Sequence, residues 1–180
     1  VDVNNDFETW TSIAASTFDG DGAMAFEPFL SIFFLESHDW LISPTINLNT
    51  LPGLKKLKFR VKVSLGWLGA TSQNLQVSVS TTGTGNVSNF NQIVLPTTIY
   101  NNGPYQEVIV DLVDANNAPL TGNINVGFNI NNLTEESANM YIDNVIIDAE
   151  GACPSIQNPD YIEPSCGQAQ AGMVTWTAGS

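Results

Sequence analysis

The chain has 180 residues, with 18 acidic side chains against five basic ones and a formal net charge of -13. All five bases (Lys55, Lys56, Lys58, Arg60 and Lys62) fall within eight residues, so no broad cationic surface exists to displace counterions from a nucleic acid or to settle on an anionic membrane. A hydrophobic share of 43% excludes an acidic disordered tail, and the length suits one sandwich-sized domain with a fragment of a second.

Charged residues make up 13% of the chain, about half the ~25% usual for soluble domains. Asn, Thr, Ser and Gly supply the polarity, a composition common in secreted bacterial surface proteins. No apolar run reaches the ~20 residues that would insert into a bilayer. No basic segment followed by an apolar one opens the chain. With Val1 first, the chain reads as a mature or excised piece whose targeting segment would lie upstream.

In chain order, Phe7-Glu8-Thr9-Trp10 comes first and Asp19-Gly20-Asp21-Gly22 is the first turn signal. Glu27 to Leu35 is apolar and reads as a buried strand. Trp40, Ile42, Ile46 and Leu48 form an alternating face, with Pro44 at an edge or bulge because it cannot donate to a ladder. Leu57, Phe59, Val61 and Val63 alternate with Lys56, Lys58, Arg60 and Lys62. Strict alternation also marks Leu75 to Ser80, Glu107 to Leu112 and Ile124 to Asn131, the pattern of strands with one face on a core and one in water. Turn signals fall at Gly83 to Asn86, Asn101 to Gly103 and Asn116-Asn117. No helix longer than one or two turns is predicted. About ten strands over residues 5–149 fit an all-β fold, a two-sheet antiparallel β-sandwich of jelly-roll type. The prolines at 154, 159 and 164 then change the texture, and Gly172 to Thr177 reads as a fresh strand. Residues 1–150 are therefore expected to form the jelly roll. Residues 151–180 are expected to form a linker and the truncated start of a second β domain, which must lean on a neighbour because it cannot bury a core of its own.

Two cysteines, Cys153 and Cys166, are separated by twelve residues. In an oxidising compartment they can close a small loop; the alternative is two reduced thiols. The four alternating bases either receive an anionic ligand or pair with acidic neighbours across the sheet, and with 18 acids available the second is favoured.

No catalytic constellation emerges. His38 is the single histidine, no nucleophile elbow, Walker loop or dinucleotide fingerprint is present, and no carboxylate pair is singled out by spacing. The expectation is a non-enzyme. Calcium is better supported, since it takes six to eight oxygens from carboxylates, carbonyls and amides. Candidate ligands are Asp6, Glu8, Asp19, Asp21, Asp39 and Asp143. Asp143 either shares an apolar face with Tyr141, Val145 and Ile147, where it needs a partner or a metal, or lies in water opposite a face marked by Ile142 and Ile146.

Phe7-Glu8-Thr9-Trp10, Asp39-Trp40-Leu41-Ile42-Ser43-Pro44 and Tyr141-Ile142-Asp143-Asn144-Val145-Ile146-Ile147, with Leu75 to Gly83 and the basic strand between them, together resemble the cleaved-adhesin or "choice-of-anchor J" domains of secreted Bacteroidetes proteins. The resemblance covers about residues 5–149. It implies a jelly roll related to MAM domains and β-sandwich carbohydrate-binding modules, acting without catalysis in a multidomain secreted or cell-surface protein. It also implies a structural calcium held by Glu8 and Asp143. The short Asp19-Gly20-Asp21-Gly22 departs from the longer Asp/Gly-rich loop of some relatives, and the tail with Trp176 resembles the start of a fibronectin type III domain.

Three functions follow. The first is an adhesion or ligand-binding module for a glycan or a surface protein, with Trp67, Tyr100 and Tyr105 as candidate aromatic contacts. Trp67 reads equally well as a plug under a loop. The second is a ligand-free spacer held by calcium and flanking a secreted enzyme such as a peptidase. The third is a hydrolase with acidic catalytic residues, ranked last.

Overall fold

The computed structural model describes residues 1–3, 9–14, 17–20, 22–28, 37–66, 69–83, 85–132 and 137–150. Within them lie ten strands: β1 (Thr11–Ile13), β2 (Ala23–Phe26), β3 (Ser37–Ile42), β4 (Ile46–Asn47), β5 (Leu54–Ser64), β6 (Ser72–Ser80), β7 (Gln92–Asn101), β8 (Gln106–Asp111), β9 (Asn123–Asn132) and β10 (Asn139–Glu150). The first sheet runs β1-β2-β10-β5-β8 and the second β3-β9-β6-β7, with β4 also pairing β9. All these pairings are antiparallel. Most consecutive strands lie in opposite sheets, as a jelly roll requires. The expected all-β sandwich is therefore the observed one. β10 ends at Glu150. The tail with Cys153 and Cys166 lies outside the described residues, as do Leu35 and most of the stretch expected as a strand from Glu27; β2, Ala23–Phe26, precedes that stretch.

The alternation of β5 and β9 decides which side chains meet. Leu57, Phe59, Val61 and Val63 enter the core from the first sheet, and Ile124, Val126, Phe128 and Ile130 from the second. Phe59 and Phe128 touch edge to face across the sandwich, centroids 5.1 Å apart at 82°, the arrangement the ring quadrupoles favour. Lys55 falls in the inward phase of β5 and is buried, so it does not join the outward row of bases.

Two phase changes break the simple pattern. Trp40 stands opposite Asn129 and Ile42 opposite Gly127, on the outer face, whereas Ile46 stands opposite the core residue Ile124. The face expected from Trp40, Ile42, Ile46 and Leu48 is thus split by a one-residue slip around Pro44, a bulge where proline's missing donor is harmless. β10 has a second bulge between Asp143 and Ile146, with Asn144 at φ 50°, a left-handed conformation that asparagine tolerates better than most residues. Ahead of the bulge Ile142 enters the core and Asp143 points outward; beyond it Ile147 enters the core. Each of the two expected phases for Asp143 is therefore right for half the strand.

Candidate functional site

The outer face of the first sheet carries the chain's outward cations. Lys56 lies 4.0 Å from Asp111, Lys58 2.6 Å from Asp148 and Arg60 3.0 Å from Glu107. These are cross-strand neighbours or diagonals, each worth about 0–1 kcal/mol. Lys62 lies over the rings of Tyr105 and Tyr141 at 5.6 and 5.5 Å. Three of the four bases are thus matched by acids of the same face, as favoured over an anion site.

The chain between β1 and β2 crosses this face. The Phe18 N–H donates to Asp143 Oδ2 at 2.6 Å, and the Asn144 N–H donates to Asp143 Oδ1 at 2.7 Å. Charge-assisted bonds of this kind are about twice as strong as neutral ones. The Phe18 ring lies 4.5 Å from the Arg60 guanidinium and meets Tyr105 edge-on at 5.8 Å. Asp143 is consequently 4% exposed although it points away from the core. Tyr141 donates its hydroxyl proton to Glu27 Oε1 at 3.0 Å.

Burial pushes the Tyr105 phenol up to about 12, helped by the negative charge of Asp143, by Tyr141 and by Asp19. Asp143 and Asp19 therefore act on one hydroxyl. Because the folded protein holds this proton more tightly than the unfolded chain, its contribution to stability is full below pH ~10 and is lost as pH rises through about 12. An alkaline absorbance titration should show a phenol near 12 that vanishes in Tyr105→Phe and moves down in Asp143→Asn. Titration of Tyr105 at the ordinary value would contradict this packing.

The other expected metal ligands are distributed as follows. Asp19 is exposed in the crossing loop, while Asp6, Glu8 and Asp21 lie outside the described residues. Asp39 does not join the cluster: it stands opposite the core residue Ile130 on β3, fully buried on the inward side of the second sheet. Among the described residues no group of three or more His, Cys, Asp or Glu side chains is placed to hold a metal. Of the aromatic candidates, Trp67 lies outside the described residues. Tyr100 is corrected by its register: it stands opposite Gln73 in the inward phase and is packed in the core, so its ring is not open to a sugar. Tyr105 is half-buried, with its ring engaged by Phe18 and Lys62.

The outer face of the second sheet is of a different kind. Register places His38, Trp40 and Ile42 of β3, Asn125 to Asn131 of β9 at alternate positions, and Asn74 to Ser80 of β6 at alternate positions on it. None of these outward residues is Asp, Glu, Lys or Arg. Trp40 and Phe90 meet over Gly127 with ring centroids 5.2 Å apart and planes inclined by 44°, and a Cβ atom there would lie 2.8 Å from the Phe90 ring and 2.9 Å from Trp40. Around this glycine Ser78 Oγ, Asn125 Oδ1 and Asn129 Oδ1 are buried without a hydrogen-bond partner. Such a group costs about 1–3 kcal/mol, and native proteins keep few of them. The available sequence signal was the Asn and Ser alternation itself, which reads as an ordinary solvent face.

No protein-family model matches the chain, and no curated protein is a significant match. The solved structures that share its fold include the K1 cleaved adhesin domain of Lys-gingipain from Porphyromonas gingivalis W83, at 22% identity and TM-score 0.60 over 84% of this chain and 89% of that one. The K3 cleaved adhesin domain of the same protein matches at 18% identity and TM-score 0.61 over 82% and 89%. An exo-β-agarase matches at 11% identity and TM-score 0.57 over 84% of this chain and 24% of the enzyme. The fold of the cleaved adhesin domains is the fold of this chain.

Proposed function

We propose that the chain is a non-catalytic adhesion module of a larger secreted or cell-surface bacterial protein, stabilised by calcium and directed at a glycan or a surface protein. The observation that carries this reading is the shared fold with the K1 and K3 cleaved adhesin domains over more than four fifths of the chain. The exo-β-agarase match, in which the chain corresponds to 24% of the enzyme, favours one second reading, a ligand-free accessory domain beside a secreted enzyme. Binding of the module to a glycan array and to immobilised host surface proteins separates the two: retention on either supports adhesion, and retention on neither leaves the accessory role.

For calcium, the support is the chemistry of the donors. Both Asp143 oxygens accept one N–H each, and a carboxylate offers about four lone-pair positions, so room remains for a hard cation. Asp19 lies in the loop that Asp143 anchors, and Glu8, Asp6 and Asp21 are further oxygen donors in the same stretch of chain. A bound ion there would tie the crossing loop to β10. Saturating calcium should raise stability by about 2.7 kcal/mol at one hundred times its dissociation constant, read as a melting shift reversed by chelator and not reproduced by magnesium. A melting temperature indifferent to both would remove calcium from the proposal.

A further inference from the structure

We infer that the outer face of the second sheet, centred on Gly127, is the site that takes the ligand, and that the ligand is a neutral glycan. The inference rests on the adhesion reading above and specifies its ligand class and location.

Three independent features converge there. The first is charge segregation. The outward bases and their carboxylate partners occupy the first sheet, while the outward residues of β3, β6 and β9 are amides, hydroxyls, apolar groups and His38. A sulfated or uronic-acid ligand would find no lysine or arginine to offset its charge on this face.

The second is the set of unpartnered polar atoms. Ser78 stands directly opposite Gly127, and Asn125 and Asn129 lie two residues to either side of it. All three side chains are at least nine-tenths buried, and Ser78 Oγ, Asn125 Oδ1 and Asn129 Oδ1 have no hydrogen-bond partner. The Asn125 amide nitrogen already donates to Ser43 O at 2.9 Å, which fixes its carbonyl oxygen as the free end. Amide oxygens only accept, so the missing partner must donate. A sugar hydroxyl does so, and can accept from Ser78 as well.

The third is the aromatic pair. Trp40 and Phe90, each 7% exposed and inclined to one another by 44°, close over Gly127 because that residue has no Cβ, so the two rings roof the polar floor. Phe90 is on the connection between β6 and β7 and belongs to no ladder, so its ring can lift from Gly127 without breaking sheet hydrogen bonds and admit hydroxyls to the polar floor.

The test is calorimetric titration of the full chain in calcium with neutral gluco-, manno- and galacto-configured hexasaccharides and with a uronic-acid hexasaccharide. At least one neutral sugar should bind, the uronic-acid sugar should bind less tightly, and Asn129→Ala or Ser78→Ala should each weaken binding about tenfold. Lys58→Glu with Arg60→Glu should leave binding unchanged. Melting curves check that the variants fold. Gln76→Ala, which removes a half-exposed side chain opposite Asn129, is expected to weaken binding by a smaller factor and serves as the reporter if a buried-site variant does not fold. Undiminished binding in Asn129→Ala and Gln76→Ala, or preference for the acidic sugar, would overturn the inference and leave adhesion standing. No sugar binding by a chain that still captures a surface protein would overturn it too. Failure to retain sugars and proteins alike would remove the adhesion reading itself.

Discussion

Phe59→Ala is expected to destabilise the domain by about 3–5 kcal/mol. Phe59 is 1% exposed and meets Phe128, itself 2% exposed, across the middle of the sandwich. Truncation removes the transfer free energy of a large ring and leaves a cavity. β5 is held between β10 and β8, so it cannot collapse into the space without disturbing two ladders. The contact also sets the spacing between sheets, on whose opposite outer faces both candidate sites are built. Urea unfolding should show a lower midpoint with little change in slope, and Phe59→Leu should recover most of the loss by refilling the cavity. A cost for Phe59→Ala below about 1 kcal/mol would mean that the cross-sheet contact is not central to the core.

What was legible in the sequence follows from which strands set a polar row against an apolar one. β5, β6 and β9 alternate strictly, because lysines, serines or asparagines stand against a continuous apolar row. Their inward sets are the observed core. β10 was ambiguous for a physical reason: the crossing loop covers its outer face, so Asp143 and Tyr141 are buried there while Ile142 is buried in the core, and apolar residues occur in both phases. The bulges at Pro44 and Asn144 shift the phase by an amount that alternation alone cannot show. Tyr100 looked exposed because it precedes the turn signal Asn101-Asn102-Gly103, yet its pairing with Gln73 turns it inward. The Trp40–Phe90 pair was illegible because its members lie far apart in the chain. Only the approach of both rings to Gly127 gives that glycine its meaning.

Asp143→Ala is the substitution that separates the anchoring role of this carboxylate from a metal-binding one. Two N–H groups, from Phe18 and Asn144, lose a charged acceptor, and hydrogen bonds to charged groups contribute about 1.5–3 kcal/mol each. The half-buried Asn144 N–H sits at a bulge that water can reach with modest rearrangement, so the net loss is expected at about 2–3 kcal/mol. The Phe18 ring should then leave Arg60 and Tyr105, which would become visible as a lower Tyr105 pKa and as protease sensitivity near residue 18. Asp143→Asn keeps one acceptor oxygen and the shape of the side chain, so about half the loss is expected. Measured in chelator, these numbers report the anchor alone. Measured in saturating calcium, they grow if Asp143 ligates the ion, because the variant also forfeits the binding linkage. Equal losses in the two buffers would confine Asp143 to holding the loop, and no loss in either would show that the loop is held by other contacts.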